Sequence, residues 1–207
     1  LCSENILMLR IYGDSQSGNC YKIKLLLNLL SIEHEWIHVD ILAGETHTDA
    51  FKKMNPNRRI PVLVLANGSI LLESNAILNF LAEGSEYLPK DRYPRAQVLQ
   101  WQFFEQYSHE PFIATARYIN KYLGLPKERR AEFEAKQEGG HKALSVLEQQ
   151  LSRSDFLVGA SLTIADISLY AYTHVAHEGG FDLEGYVAIR RWIDRIEQRD
   201  DYLAMNG

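Results

Sequence analysis

The chain has 207 residues, enough for one large domain or two small ones with real cores. Hydrophobic residues make up 46% and charged residues 24%, an ordinary globular balance that excludes a disordered or collagen-like polymer. With 22 Lys+Arg against 27 Asp+Glu the net charge is -5, so a surface built to neutralise nucleic-acid phosphates is not expected.

Residues 7–12 (LMLRIY) are short and apolar and run into GDSQSGN, a cluster of turn formers and helix caps, which predicts a strand and then a loop. A helix is predicted from about Asn19. Its apolar positions Ile23, Leu26, Leu27 and Leu30 fall at helical spacing, with Lys22 and Lys24 expected in solvent. Residues 34–40 (HEWIHVD) alternate enough for a second strand, and residues 48–54 suit a short helix that Asn55-Pro56-Asn57 ends. Residues 62–65 and 69–72 flank Ala66-Asn67-Gly68, and Asn-Gly between two apolar runs is the strongest short-range hairpin signal. A third helix begins at Ser74 with Ala76, Ile77, Phe80 and Leu81 on one face. Residues 1–83 therefore read βαβαββα, an α/β domain with a mixed four-stranded sheet in the order of the thioredoxin-like fold.

Residues 84–93 (GSEYLPKDRY) are polar and contain a proline, as a linker would be. Residues 94–207 read as an all-α helical bundle domain. A long segment runs from about Pro94 to Leu123, with a bend expected at Pro111, and further helices cover 128–151, 163–177 and 187–198.

The two cysteines, Cys2 and Cys20, form neither a disulfide framework nor a zinc site of paired CxxC type. No metal is expected, and a reducing, cytoplasmic setting is. No apolar run approaches the ~18 residues of a membrane span. Residues 1–5 lack a positive region ahead of an apolar stretch, so no secretory leader is expected among them, and the opening Leu1 leaves room for residues upstream.

Three segments can carry chemistry. Ser17-Gly18-Asn19-Cys20-Tyr21 sits at a helix start, where about four unpaired N–H groups and roughly half a positive charge can hold an anion. The Ser17 hydroxyl and Asn19 amide could donate to a thiolate there, although capping by either residue explains the segment by itself. Ile60-Pro61 opens an apolar strand, a usual place for a residue that cannot donate to a ladder. Glu73-Ser74 opens the third helix, where Ser74 as a cap and Glu73 as a solvated charge are sufficient explanations.

Their fixed order, the runs NPNRRIPVL and LLESNAIL, and in the helical half FLVG (156–159) with SLTIADI (161–167) are where the chain resembles the glutathione transferase superfamily, over nearly its whole length. In the last run Thr163 is positioned to cap a helix and Asp166 to reach back to it, a capping box and a buried folding element rather than a catalytic one.

The resemblance implies a homodimer with glutathione as co-substrate, its thiolate conjugated to small hydrophobic electrophiles. It implies that Glu73 takes the γ-glutamyl ammonium and Ser74 its carboxylate. Ile60, before a cis Pro61, would pair through its backbone with the cysteinyl part, and Arg59 would stand near the glycine carboxylate. Ser17 matches the activating serine of serine-type classes, at the place of the reactive cysteine in cysteine-type ones. Asn19 matches an Asn in bacterial members whose Thr-plus-Asn site prefers disulfide chemistry. Cys20 takes the second place of an SxxC, where a lone Cys is more often packing than chemistry. Tyr12, a strand residue, does not suit a tyrosine-type mechanism. The electrophile is expected against the long helix after the linker, with Tyr107, Phe112 and Tyr118 as candidate contacts. Two other readings stay open: a glutathione-dependent disulfide reductase or glutathionyl-lyase using the same site, and a non-catalytic glutathione-binding module.

Overall fold

A computed structural model describes residues 8–206; Cys2 and Leu7 of the sequence reading lie outside them. The described chain divides into two compact units, one formed by residues up to Glu83 together with those from Asp201 onward, the other by Gly84–Asp200. The closing residues thus join the first unit, not the helical domain to which their position in the sequence assigned them. Long-range hydrogen bonds hold them there: Tyr21 Oη donates to the Leu203 carbonyl at 2.7 Å, and Asn28 Nδ2 to the Asp201 carbonyl at 2.7 Å.

The first unit runs β1 (Leu9–Gly13), α1 (Gly18–Leu29), β2 (His34–His38), α2 (Asp49–Met54), β3 (Val62–Val64), β4 (Ile70–Leu72) and α3 (Ser74–Ala82). Its four strands lie in the order β2-β1-β3-β4, with β1 parallel to β2 and antiparallel to β3, and β3 antiparallel to β4. This is the mixed sheet of a thioredoxin-like domain. The β3–β4 turn closes through Leu65 N–H to the Ser69 carbonyl at 2.8 Å, with Gly68 at φ +83°, where an L side chain would be strained. Thr48 accepts from Phe51 N–H at 3.3 Å and caps α2. Along α1 not only Ile23, Leu26 and Leu27 but also Leu25 and Lys22 are buried, so the expected solvent face at Lys22 does not exist; Lys24 is half-buried.

The helical unit comprises α4 (Arg92–Phe104), α5 (Glu110–Arg117), α6 (Arg130–Leu151), α7 (Ile164–Thr173) and α8 (Val187–Glu197). The expected disturbance near Pro111 is a widened π turn at Glu105–His109, one step earlier. Pro111 itself falls in the first turn of α5, where its missing N–H breaks no helix bond. α5 and α6 approach closely because Gly139 leaves room: a Cβ there would fall 2.2 Å from the Phe112 ring. Arg117, 1% exposed, pairs with Glu178 at 2.6 Å, and Lys121 pairs with the same carboxylate. Among the described residues, no helix is long and apolar enough to cross a membrane.

At the start of α7 the anticipated capping box is present. Thr163 accepts from Ala165 N–H, while Asp166 accepts from Thr163 N–H at 2.9 Å and from Thr163 Oγ1 at 2.9 Å. The fully buried Asp166 carboxylate also accepts from Leu157 N–H at 2.9 Å and Trp192 Nε1–H at 3.0 Å, which ties the FLVG loop and α8 to the same group.

Candidate functional site

The loop between β1 and α1 is shaped by Asp14, whose Oδ1 accepts from Gln16 N–H at 2.9 Å and whose carbonyl accepts from Ser17 N–H at 3.1 Å. Ser17 stands at the N-cap of α1 with extended backbone, and its side chain makes no capping bond. Its hydroxyl instead lies near the Cys20 thiol and acts to lower that group's pKa. A neutral thiol is a weak acceptor, so a charged acceptor brought to this end of the helix competes well for that proton.

Cys20 is a buried thiol. It is 0% exposed, and burial pushes its thiol up to about 12, although the Ser17 hydroxyl and the Lys22 charge act in the other direction. Its sulfur fills the space above Gly13, where a Cβ would lie 2.8 Å away. The packing role read from the sequence accounts for it.

Asn19 and Ser74 are brought into contact across the unit. Ser74 Oγ donates to Asn19 Oδ1 at 3.0 Å, joining the first turns of α1 and α3, 55 residues apart in sequence. A third member was missed by sequence reading. Lys22 Nζ donates to Asn19 Oδ1 at 2.8 Å and to Ser74 Oγ at 3.4 Å. The available signal was its spacing, because Lys22 lies three residues after Asn19 and so on the same helical face.

Ser74 is not the cap of α3; the helix begins at Ser74, and Glu73 occupies the N-cap position without a capping bond. Glu73 adopts φ +69°, a strained conformation for a residue with a Cβ, and its side chain is exposed. A carboxylate thus projects beside the N–H groups of a helix start, a pairing suited to a ligand that carries both an ammonium and a carboxylate.

Ile60-Pro61 precedes β3 with a cis peptide bond. Ile60 packs on the cluster of Val39, Phe51, Val62 and Val64. Buried Asn55 shapes the preceding turn, donating through Nδ2 to the Arg59 carbonyl at 2.8 Å and accepting from Asn57 N–H at 3.0 Å. The Arg59 side chain is exposed.

The three aromatic candidates of the helical unit separate. Phe112 packs against Gly139, with Lys136 Nζ 5.7 Å from its ring centre, and is half-buried. Tyr107 is 81% exposed, and Tyr118 leans on Tyr122 with 5.5 Å between ring centres. No group of three or more His, Cys, Asp or Glu residues that could hold a metal ion occurs among the described residues.

Known proteins resemble the chain in both sequence and structure. Residues 16–83 match the family model of the glutathione S-transferase N-terminal domain, and residues 101–200 that of the glutathione S-transferase C-terminal domain. The chain is 32% identical to Glutathione S-transferase 2 of Anopheles gambiae, over 89% of this chain and 88% of that one. It is 30% identical to the Disulfide-bond oxidoreductase YfcG of Escherichia coli (strain K12), over 87% of this chain and 86% of that one. Among solved structures, a glutathione S-transferase from Pseudomonas fluorescens Pf-5 superposes with a TM-score of 0.95 at 58% identity, covering 97% of this chain and 100% of that chain.

Proposed function

From the premise that the chain belongs to the glutathione S-transferase family, we propose that it binds glutathione in its first unit and conjugates the thiolate to small hydrophobic electrophiles. The observation that carries this reading is the contact of Asn19 with Ser74, which brings two helix starts and their donors to one place beside the exposed Glu73. In this reading Glu73 takes the γ-glutamyl ammonium, Ser74 the adjoining carboxylate, the Ile60 backbone the cysteinyl part and Arg59 the glycine carboxylate.

A free thiol with a pKa of ~8.5 is only a few per cent thiolate at pH 7, and lowering it by about two units requires ~2.7 kcal/mol of preference for the charged form. Ser17, Asn19 and the first turn of α1 share that task. Exposed Tyr107 and Tyr118 remain the contacts proposed for the apolar second substrate. A cytoplasmic homodimer goes with this reading; Ile70 and Phe80 of the first unit and Leu99 and Phe103 of the second are exposed apolar side chains that a dimer would cover.

A second reading has its own support. The Ser17/Asn19 pair in place of a reactive cysteine, together with a relative named as a disulfide-bond oxidoreductase, favours glutathione-dependent disulfide reduction. There the bound thiolate attacks a disulfide, releases one thiolate, and a second glutathione resolves the mixed disulfide to oxidised glutathione. Calorimetry with glutathione followed by rates on a panel of electrophiles and disulfides separates the two. Binding without turnover on either panel would leave a binding module, and absence of binding would remove the reading.

Glu73→Ala is expected to weaken glutathione binding by roughly 1.5 to 3 kcal/mol, a charge-assisted contact, while the urea midpoint stays near wild type because the side chain is exposed. Unchanged affinity would remove Glu73 from the site. Ser17→Ala is expected to raise the titration midpoint of bound glutathione by about one unit, with affinity little changed, and so to slow conjugation about tenfold below that midpoint. Ultraviolet titration of the bound thiolate checks this. Ser17→Cys, which can form a mixed disulfide with glutathione, is expected to lose conjugation and gain glutathionyl exchange.

A further inference from the structure

A cavity of about 500 Å³ opens in the first unit at the end of α1 away from Ser17 and Asn19, and its size is that of a small-molecule site. At 1.5 Å per residue, Asn28 on its wall lies about 13 Å along the helix from Asn19. The cavity shares no side chain with the proposed glutathione site. Part of its wall is apolar, formed by Leu27, Ile32 and Leu203 with exposed Met8. Leu203 is held there by the bond from Tyr21 Oη to its carbonyl.

The rest of the lining is polar and rich in acceptors. Glu33 brings a carboxylate that no donor meets among the described residues. Asn28 uses Nδ2 on the Asp201 carbonyl, which leaves its Oδ1 to accept. His34 Nδ1 lies 3.0 Å from the Ile32 carbonyl, and a carbonyl only accepts, so Nδ1 carries the proton and Nε2 is the accepting nitrogen of the neutral ring.

The donors are the Ser31 hydroxyl and the Lys24 ammonium. Ser31 adopts φ +53°, a conformation that favours glycine. The end of α1 closes without its side chain, by Ser31 N–H to the Asn28 carbonyl and Ile32 N–H to the Leu27 carbonyl, both at 2.9 Å. What serine adds over glycine at this position is a hydroxyl on the cavity. Lys24 is half-buried, and burial pushes its ammonium below the usual lysine range, a shift that a carboxylate beside it would oppose. With three protons, the ammonium can serve a further acceptor alongside the contacts it already has.

A carboxylate and an ammonium in one cavity are complementary to a ligand that carries both charges, since a ligand with one charge would cover the other group without pairing it. We propose that this cavity binds a small apolar zwitterion of dipeptide size, its ammonium on Glu33 and the neighbouring acceptors, its carboxylate on Lys24 and Ser31, and its side chains against Leu27, Ile32 and Leu203. The site is independent of glutathione and of any turnover in the first unit.

The test is calorimetry on the whole protein with leucyl-phenylalanine as the probe, with and without excess glutathione. The dipeptide is expected to bind with a Kd below about 1 mM in both conditions. N-acetyl-leucyl-phenylalanine lacks the ammonium and leucyl-phenylalanine amide lacks the carboxylate; each is expected to bind about fivefold more weakly, the upper range of an exposed ion pair. Glycylglycine, with both charges and no apolar side chain, is expected not to bind. Glu33→Gln should weaken the parent dipeptide about fivefold and leave the acetylated one unchanged, and Lys24→Met should do the same for the parent and the amide.

No binding of leucyl-phenylalanine in the millimolar range overturns the proposal. Its displacement by glutathione does so too, by placing the dipeptide in the glutathione site. Wild-type affinity in Glu33→Gln, or in a folded Lys24→Met, also overturns it. Should Lys24→Met fail to fold, the amide analogue and Glu33→Gln, an exposed side chain with no partner to lose among the described residues, decide the matter.

Discussion

Asp166→Ala is expected to lose on the order of 4 kcal/mol of folding stability, the largest effect of any single truncation considered for this chain. Four donors converge on this carboxylate: Leu157 N–H, Thr163 N–H, Thr163 Oγ1–H and Trp192 Nε1–H. Removing it strands buried donors in a place closed to water, and each orphaned group costs about 1–3 kcal/mol. Burial pushes the carboxyl up to about 6 against the pull of those donors, so at neutral pH it is still charged when it receives them. Urea unfolding gives the loss directly. Asp166→Asn keeps the shape but turns an amide N–H2 toward a donor, and is expected to fall between the wild type and the alanine variant. Turnover per folded molecule should hold in both, because the cluster lies in the helical unit and touches none of the residues assigned to glutathione. A protein of wild-type stability that has lost activity would make Asp166 catalytic, contrary to this account.

The second large effect is acid-induced and comes from His174. Its ring stacks on Tyr170 with 4.4 Å between centres, and Nδ1 lies 2.8 Å from the Tyr170 carbonyl. Burial pushes the imidazole down to about 4, and the nearby Arg117 charge pushes the same way. In the unfolded chain the same ring titrates near 6.5. The folded value is depressed, so the folded state binds fewer protons than the unfolded one across this window. The contribution is whole above about 6.5 and is lost as the pH falls toward about 4. At 1.36 kcal/mol per unit this is a loss of about 3 kcal/mol. His174→Gln, which cannot titrate, should show an acid limb flatter by about that amount when urea unfolding is compared at pH 7 and pH 4. Parallel limbs for the two proteins would mean that His174 is protonated in the folded state or does not titrate alone.

Both groups sit at junctions between segments distant in sequence, which bears on how much of the molecule its sequence discloses. The strands, the Asn67-Gly68 hairpin and the Thr163–Asp166 capping box were legible because each depends on neighbours within a few residues: alternation, turn chemistry and an i to i+3 reach. The candidate site was legible in the same sense, since Ser17, Asn19, Glu73 and Ser74 each mark a helix start, and helix starts can be read from local caps. What those local signals could not say is which starts face one another.

The sequence alone determined the two-part organisation, the order of elements in the α/β unit, and the residue types available at each helix start. Only the tertiary structure decided that Lys22 is buried, with Ser74, 52 residues away, among its acceptors. The tertiary structure alone likewise returned the chain's last residues to the first unit, through Tyr21 and Leu203, 182 residues apart. It also set the Phe112 ring against α6, since the gap that the ring fills is made by a glycine on that other helix. The physical reason is common to all three: a side chain's periodicity says which face of its own element it occupies, but solvent exposure is fixed by what packs on that face, and that partner lies elsewhere in the chain.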